Sequence, residues 1–320
     1  MNRLVILLLT AVAAVLVAVL PMLVGPYYIR VLQIFFFSAG LGVAWNILGG
    51  YAGYWSFGHT VSIGIGAFTA AWLGMIFGAG SGPWSMVLPV IAGALLSGLF
   101  ALVIAYPLLR LRGTYFAIAM LGVSQVVAEL VNNVSIFQGG IGVFLPSPVP
   151  SGMPVERFYY YIFAVVLSLL LLISWWVKRS RFGYALLAIR EDEDTAMMLG
   201  VPTERYKMAA FVLSAVMVGL LGAIYGYSLG YFTTYSVFRL DWSLNMIVFC
   251  LIGGIGTLMG PVIGAALILF LTQVLLGGFL DLHLMITGAL VVAVILIMPG
   301  GILRTRWRLP GRKPARGGAE

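Results

Sequence analysis

Ten apolar runs make up most of this chain, and each is long enough, or nearly long enough, to cross a lipid bilayer. A helical span needs about 20 consecutive apolar residues. The runs are residues 4–24, 29–48, 61–78, 86–106, 114–131, 158–177, 208–231, 242–259, 261–278 and 284–298. Because lipid offers no hydrogen bonds to a backbone, such runs form helices. The sequence predicts an all-α polytopic membrane protein with about ten (8–10) transmembrane or re-entrant helices.

Composition excludes the protein classes that would compete with this interpretation. Apolar residues are 62% of the chain and charged residues 9%, whereas soluble proteins carry about 25% charged residues. The single cysteine, Cys250, excludes a disulfide framework within the chain. The net charge of +8 does not indicate nucleic acid, because the basic residues lie at the ends of the apolar runs, where they set membrane orientation.

The distribution of lysine and arginine predicts the side of the membrane on which each loop lies. If both termini are cytoplasmic, fifteen of the eighteen basic residues are inside, and Arg30, Arg157 and Arg239 are outside. This is the positive-inside pattern, so we expect a multi-pass protein of the cell inner membrane with cytoplasmic termini. No signal-peptidase-type site follows the run 4–24, and we expect it to remain as a span.

We expect residues 1–303 to form a single transmembrane domain. The tail 304–320 is basic and contains prolines and glycines. We expect this tail to be disordered in the cytoplasm and to contact anionic lipid headgroups.

One charged segment, residues 181–211, interrupts the apolar pattern. A charge at the bilayer centre costs about 2.5–3.5 kcal/mol, so this segment must lie at a membrane face, and the orientation above places it in the cytoplasm. We predict one helix over 184–199, ended by Gly200 in a left-handed conformation. Pro202 then bars continuation, and Thr203 caps the helix that re-enters the membrane. The alternative is an ordinary amphipathic helix lying on the headgroups.

The same segment carries the first of several family motifs. AIREDEDTAMMLGV, followed by Lys207 and AFVLSA, resembles the cytoplasmic coupling segment of the permease subunits of branched-chain amino-acid ABC transporters, with Thr195 in place of an alanine. YAGYWSFGHTVSIGIGA, GTYFAI, GGIGTLMGPVIGA and MPGG resemble further motifs of that family, with Phe57 in place of a leucine. Together the motifs extend from about residue 49 to 301, most of the chain.

The resemblance implies a permease subunit of an ATP-binding-cassette importer that moves leucine, isoleucine, valine or related amino acids. It implies that the cytoplasmic loop 178–207 couples to a separate ATPase. The implied coupling residues are Arg190, Glu191, Glu193, Ala196 and Gly200. The implied partners are a second, related permease subunit, two cytoplasmic ATPase subunits and a periplasmic substrate-binding protein. Urea and short amides are the alternative substrates.

The chain carries no phosphate-binding loop of the form G-x-x-x-x-G-K-[ST]. We therefore expect the partner ATPases to use ATP, and we expect this chain to bind no cofactor. No catalytic motif or metal-ligand spacing is visible either, so a membrane-embedded enzyme is disfavoured. An ion-coupled secondary transporter is the remaining alternative, but it needs charged relays within spans, and the predicted spans contain only one acidic residue, Glu129.

A glycine-rich stretch over residues 49–71 is one candidate for the translocation pathway. Its candidate residues are Ser56, His59, Gly64 and Gly66. Irregular backbone at membrane depth is tolerated only against protein or a water-filled cavity, so Ser56 and His59 could present polar groups to a cavity. The alternative is that both are hydrogen-bonded to a neighbouring helix or lie at its interfacial end.

A second candidate for the pathway is a polar helix face that includes Gln125 and Glu129. An ionisable residue inside a span indicates a functional site, and Glu129 is the only acidic residue within a predicted span. It also lies near the outer end of its span, so snorkelling to water or a structural hydrogen bond is the alternative. The loop 132–157 that follows is either a docking surface for the binding protein or an ordinary loop.

A third glycine-rich stretch predicts a tight structural turn, or a hinge, between two packed helices. Its residues are Gly253, Gly254, Gly256, Gly260 and Pro261. Glycine allows the helices to approach closely, and proline is favoured in the first turn of the helix that follows.

Overall fold

The computed structural model describes residues 17–77, 82–134, 141–275, 288 and 301–303. The helices are α1 (Pro26–Trp45), α2 (Thr60–Phe77), α3 (Val87–Leu108), α4 (Thr114–Asn133), α5 (Val155–Arg179), α6 (Arg181–Glu191), α7 (Glu193–Met198), α8 (Thr203–Leu229), α9 (Thr234–Val237), α10 (Leu240–Gly253) and α11 (Gly260–Leu269). Asn46–Tyr51 and Phe270–Leu275 are π-helical, and Gly82–Met86 is a 3₁₀ helix. Two short strands, β1 (Val143–Phe144) and β2 (Tyr231–Phe232), pair antiparallel.

Within these described residues, seven stretches are long and apolar enough to cross a membrane. They are Pro26–Tyr51, Thr60–Phe77, Gly82–Leu108, Thr114–Asn133, Val155–Arg179, Thr203–Leu229 and Thr234–Gly253. The prediction of an all-α polytopic membrane protein is therefore confirmed. Residues 4–16 of the predicted run 4–24 lie outside the described residues. The predicted run 284–298 also lies outside them, except for Gly288.

The predicted runs 242–259 and 261–278 begin and end at different residues in the structure. The first ends early because the chain leaves the helix at Gly254, whose φ is 119°, and turns again at Gly256, whose φ is 75°. Both φ values are positive, a backbone conformation that residues other than glycine rarely adopt. The chain resumes as α11, which carries Pro261 in its first turn, and becomes π-helical from Phe270.

The predicted single helix over 184–199 is wrong, because the structure divides it into α6 and α7. The break falls at Asp192, whose backbone is extended with φ −160° and ψ 115°. The Oδ1 atom of Asp192 accepts a hydrogen bond from the backbone N–H of Thr195 at 2.6 Å. A capping aspartate of this kind favours starting a new helix over continuing the old one.

The end of α7 follows the predicted pattern. Gly200 has a φ of 85°, its N–H donates to the Met197 carbonyl at 3.0 Å, and the Val201 N–H donates to the Ala196 carbonyl at 3.1 Å. These two bonds are the Schellman arrangement, so the prediction for Gly200 is confirmed. The prediction for Thr203 is wrong, because Thr203 is the first residue of α8 and no side chain caps that helix.

Helix α8 packs against α2 and α3 through glycines at their crossings. A Cβ atom added to Gly66 of α2 would lie 2.2 Å from the carbonyl oxygen of Gly219 in α8. One added to Gly93 of α3 would lie 2.6 Å from the Gly66 oxygen. Close backbone approach is how helices associate in lipid, where no hydrophobic force draws them together. Gly64 likewise leaves room for the Phe238 ring.

Candidate coupling site

The segment α6–α7, here called the hairpin, is held to the membrane helices by a buried cluster around Lys207. The Nζ atom of Lys207, in the second turn of α8, lies 2.5 Å from Oε1 of Glu193, the first residue of α7. It also donates to the Tyr54 hydroxyl at 3.0 Å and to the Leu109 carbonyl at 3.3 Å. The Tyr54 hydroxyl donates to Oε2 of Glu193. An ammonium has three donors, so these contacts use all of them.

Burial and hydrogen bonding together fix the charges in this cluster. Burial acts to raise the pKa of the Glu193 carboxyl, but the hydrogen bonds from Lys207 and Tyr54 outweigh it and hold that pKa below its ordinary value. Burial raises the pKa of the Tyr54 hydroxyl, and the neighbouring Glu193 carboxylate raises it further. At neutral pH the cluster is therefore an ion pair bridged by a neutral phenol.

The last turn of α6 is attached elsewhere. Nη1 of Arg190 donates to the carbonyl of Gly50, in the π-helical segment after α1, at 2.7 Å. A Cβ on Gly256, in the turn after α10, would lie 2.5 Å from the same Nη1. The Gly256 turn is itself attached to the π-helical segment after α1, since Oδ1 of Asn46 accepts from the Gly256 N–H at 2.9 Å. The π-helical segment after α1 and the turn after α10, which are far apart in the sequence, thus both contact Arg190.

The glycine turn between α10 and α11 is very tightly packed. A Cβ on Gly253 would lie 1.7 Å from the Gly260 oxygen, and one on Gly260 would lie 2.4 Å from the Gly254 oxygen. Nζ of Lys178, at the end of α5, donates to the Gly256 carbonyl at 3.3 Å. The turn therefore brings α5, α6 and α1 together at the face where the hairpin lies.

The outer surface of the hairpin is apolar at its tip. Met197, Met198 and Leu199 are 54%, 85% and 79% exposed, and we call these three residues the hairpin tip. Methionine-rich surfaces adapt readily to partners, and exposed apolar patches indicate interaction sites. This tip was not predicted from the sequence, although an MML run within a charged segment indicates an exposed apolar surface.

The five predicted coupling residues do not share one surface. Glu191 and Gly200 are exposed, whereas Ala196 is buried against this chain and Glu193 faces Lys207. Arg190 is half-buried. The cluster partners Tyr54 and Lys207 were not among the predicted site residues.

A cavity of about 600 Å³ separates the hairpin from the start of α4. Its lining includes Tyr54, Trp55, Arg190 and Glu193. At its edge, the guanidinium of Arg112 makes a two-point ion pair with Asp194, at 2.9 and 3.1 Å. That pair is more than half exposed, so it adds little stability.

Ser56 and His59 lie in the interior of the helix bundle. The Ser56 carbonyl accepts from the Trp45 indole N–H at 2.8 Å, and Nε2 of His59 lies 2.8 Å from Oγ of Ser214. Ser214 donates its own proton to the Ala44 carbonyl at 2.7 Å. Because the Ser214 hydroxyl uses its proton in this bond, Nε2 of His59 donates to Ser214 Oγ. His59 is thus hydrogen-bonded to a neighbouring helix, one of the alternatives that the sequence left open.

Gln125 and Glu129 lie on an exposed face of α4, together with Asn133. These residues line a shallow groove of about 380 Å³. Within the described spans, α4 is the least covered, with 22% of its most apolar window buried. The predicted pathway residues thus form two separate sets, one buried in the bundle and one on an open helix face.

Comparison with known proteins identifies what this chain resembles. The family described as the branched-chain amino acid transport system permease component matches residues 27–295. The high-affinity branched-chain amino acid transport system permease protein LivM of Escherichia coli (strain K12) is 30% identical over 306 residues, which cover 87% of this chain and 70% of LivM. LivM of Salmonella typhimurium is 29% identical, covering 82% of this chain and 67% of that protein. The permease protein LivH of the same Escherichia coli strain is 29% identical, covering 60% of this chain and 65% of LivH. No solved structure matches this chain.

Proposed function

Because this chain belongs to the family of branched-chain amino acid transport system permease components, we propose that it is the membrane-spanning subunit of an ATP-driven importer. Its substrates are leucine, isoleucine, valine or related amino acids, and the substrates named for the LivM and LivH relatives support this class. Urea and short amides are the substrates to test against it.

Two cytoplasmic ATPase subunits drive this importer, and the hairpin, which lies in the cytoplasm in this arrangement, is the contact through which they act. The observation that carries this proposal is the exposed hairpin tip, Met197 to Leu199, on a hairpin anchored by the buried Lys207–Glu193 pair. An apolar tip on a firmly held support is suited to burial in a partner. Closure of the ATPases then moves the hairpin and tilts the attached spans.

A second, related permease subunit completes the pathway by covering the polar face of α4. Gln125 and Glu129 are exposed on a helix long and apolar enough to cross the membrane. Facing such groups towards lipid is costly, so a partner subunit or a water-filled pathway covers them. Cysteine labelling tests this. Gln125→Cys labelled with a photoactivatable crosslinker is expected to crosslink to the second permease in the assembled complex, whereas the same label at Leu172→Cys on α5, the lipid-facing control, is not.

A periplasmic binding protein delivers substrate to the opposite face. Both termini lie in the cytoplasm in this arrangement, which the positive-inside pattern supports. The segment that leads into β1 exposes Ile141 and Phe144, and Tyr235 is exposed just beyond β2. These apolar side chains are the proposed docking surface.

Transport by the reconstituted assembly is the decisive experiment. Proteoliposomes containing this chain, the second permease and the ATPases are expected to accumulate labelled leucine only with ATP and binding protein. Omission of the ATPases is the control. Uptake that persists without ATP and collapses with the proton gradient would favour the ion-coupled alternative instead.

A further inference from the structure

We propose that Lys207 is a positioning residue that joins α7 to the ends of two membrane helices, α8 and α3, while α6 has further side-chain anchors on other spans. This inference rests on the proposed ATPase coupling, and it adds the route by which movement of the hairpin enters the membrane domain.

The first step is that Lys207 brings separate elements to one atom. Its Nζ contacts Glu193 of α7, Tyr54 of the segment before α2 and the Leu109 carbonyl at the end of α3. Lys207 itself belongs to α8 and is 2% exposed. Removing one partner of a buried pair leaves the other charge uncompensated, which is strongly unfavourable. Helix α7 therefore moves together with α8 and the end of α3.

The second step is that α6 is anchored to other spans. Arg190 bonds to Gly50, which follows α1, and lies against Gly256, which follows α10. Helix α6 also follows α5 after the single extended residue Ser180.

Helices α1, α5, α10 and α11 form one set of packed helices, and α2, α3 and α8 form another, with α1 also packed on α8. Helix α6 packs on α8 as well, through the Phe182 ring stacked on Tyr206, so it has anchors in both sets, whereas the Lys207 cluster ties α7 to α8 and the end of α3.

The third step is that the break lies between the two anchors. Asp192 is extended, whereas the residues on either side are helical. Side-chain anchors on both sides of a non-helical residue allow one helix to turn relative to the other without loss of either attachment. An ATPase that presses on the tip of α7 therefore acts first on α8 and α3.

The test uses the complete importer, with this chain, its second permease, the ATPases and the binding protein. The quantities measured are ATPase co-purification and the number of substrate molecules imported per ATP hydrolysed. For Lys207→Met we expect normal co-purification and a fall of about tenfold in that ratio, within the usual range of coupling between sites. The matched control is Arg112→Met, which breaks an exposed ion pair on the same face and is expected to leave the ratio within about twofold of wild type.

Tyr54→Phe is a second variant for the case in which Lys207→Met does not fold. It keeps the aromatic ring and removes only the bridging hydroxyl. We expect the Tyr54→Phe complex to hydrolyse ATP but to import about fivefold less substrate per ATP. A wild-type ratio in a folded Lys207→Met complex, or in Tyr54→Phe if the lysine variant does not fold, overturns the inference. Loss of ATPase binding in either variant overturns it too, since the cluster would then only shape the docking surface. Failure of the wild-type chain to co-purify with ATPases refutes the proposed function instead.

Discussion

The Lys207 amine and the Glu193 carboxylate lie 2.5 Å apart, with side-chain exposures of only 3% and 14%. Glu193 therefore directs its charge into its own chain, towards α8, and not outwards to a partner. The resemblance to the family implies a coupling role for Glu193, which stays a prediction, and in the structure its carboxylate contacts Lys207. The carboxylate sets the position of the surface that a partner would contact.

Charge reversal at Glu193 is the first test of this arrangement. Glu193→Lys places two amines together in a buried site, and breaking a buried pair costs about 3–5 kcal/mol. We expect a lower midpoint of thermal unfolding in detergent and loss of uptake. The control is Glu191→Lys, which changes an exposed carboxylate two residues away and is expected to leave the midpoint unchanged. Equal effects of the two substitutions would contradict the buried pair.

The pH dependence of stability offers a second test. The pKa of Glu193 is held below its ordinary value of 4.5. A carboxyl with a lowered folded-state pKa contributes stability above its unfolded pKa, and that contribution is lost as pH falls through the folded value. The wild type is therefore expected to lose stability relative to Glu193→Gln below about pH 4.5. Unfolding midpoints compared at pH 7 and pH 4 measure this, and parallel curves would exclude the effect.

The cap of α7 predicts a sharp difference between two substitutions at one position. Gly200 has a φ of 85°, which proline cannot adopt and asparagine tolerates. We expect Gly200→Pro to reduce ATP-driven uptake strongly while the protein still inserts into the membrane, and Gly200→Asn to retain most of the uptake. Vesicle transport assays, normalised to the amount of protein in the membrane, would distinguish them. Normal uptake by the proline variant would argue against a coupling role for this segment.

The hairpin tip predicts a binding defect without a folding defect. Met198 is 85% exposed, so Met198→Asp is expected to leave the unfolding midpoint unchanged while abolishing co-purification of the ATPases. Met259→Asp, at a partly exposed methionine of the α10–α11 turn, is the control expected to retain them. ATPase binding by Met198→Asp at the wild-type level would remove the tip from the interface.

The glycine turn predicts a purely structural effect. A Cβ on Gly253 would lie 1.7 Å from the Gly260 oxygen, whereas one on Gly122 of α4 meets nothing within 4 Å. Overpacking of this kind costs about 1–3 kcal/mol, occasionally more. We expect Gly253→Ala to reduce the folded fraction in size-exclusion chromatography, and Gly122→Ala to leave it unchanged. An unaffected Gly253→Ala protein would mean that the turn opens at little cost.

Hydropathy and glycine chemistry predicted the parts of the fold that depend on nearby sequence. The described spans coincide broadly with apolar runs, because a backbone in lipid must satisfy its hydrogen bonds within its own segment. Gly200 was predictable for a similar reason, since a left-handed cap depends on one residue and its immediate neighbours. The division at Asp192 was not predicted, because helix propensity favoured continuation and a single capping side chain decided otherwise.

The candidate site could be predicted only in part, because it depends on contacts between distant residues. Tyr54 lies 153 residues from Lys207 in the sequence, and no local pattern joins them. Gly64 and Gly66 were assigned to the pathway from their small size. The same small size lets other helices pack closely against them, and a sequence alone does not distinguish the two uses.

The exposed hairpin tip and the polar face of α4 have a consequence for the lifetime of the protein in a cell. A newly made copy without partners carries methionine and leucine side chains in water, and a glutamate and a glutamine on a helix surrounded by lipid. Both surfaces are in the wrong solvent until assembly covers them. Surveillance proteases and chaperones act on mismatches of this kind. The abundance of this subunit is therefore expected to follow the supply of its partners more closely than its own rate of synthesis.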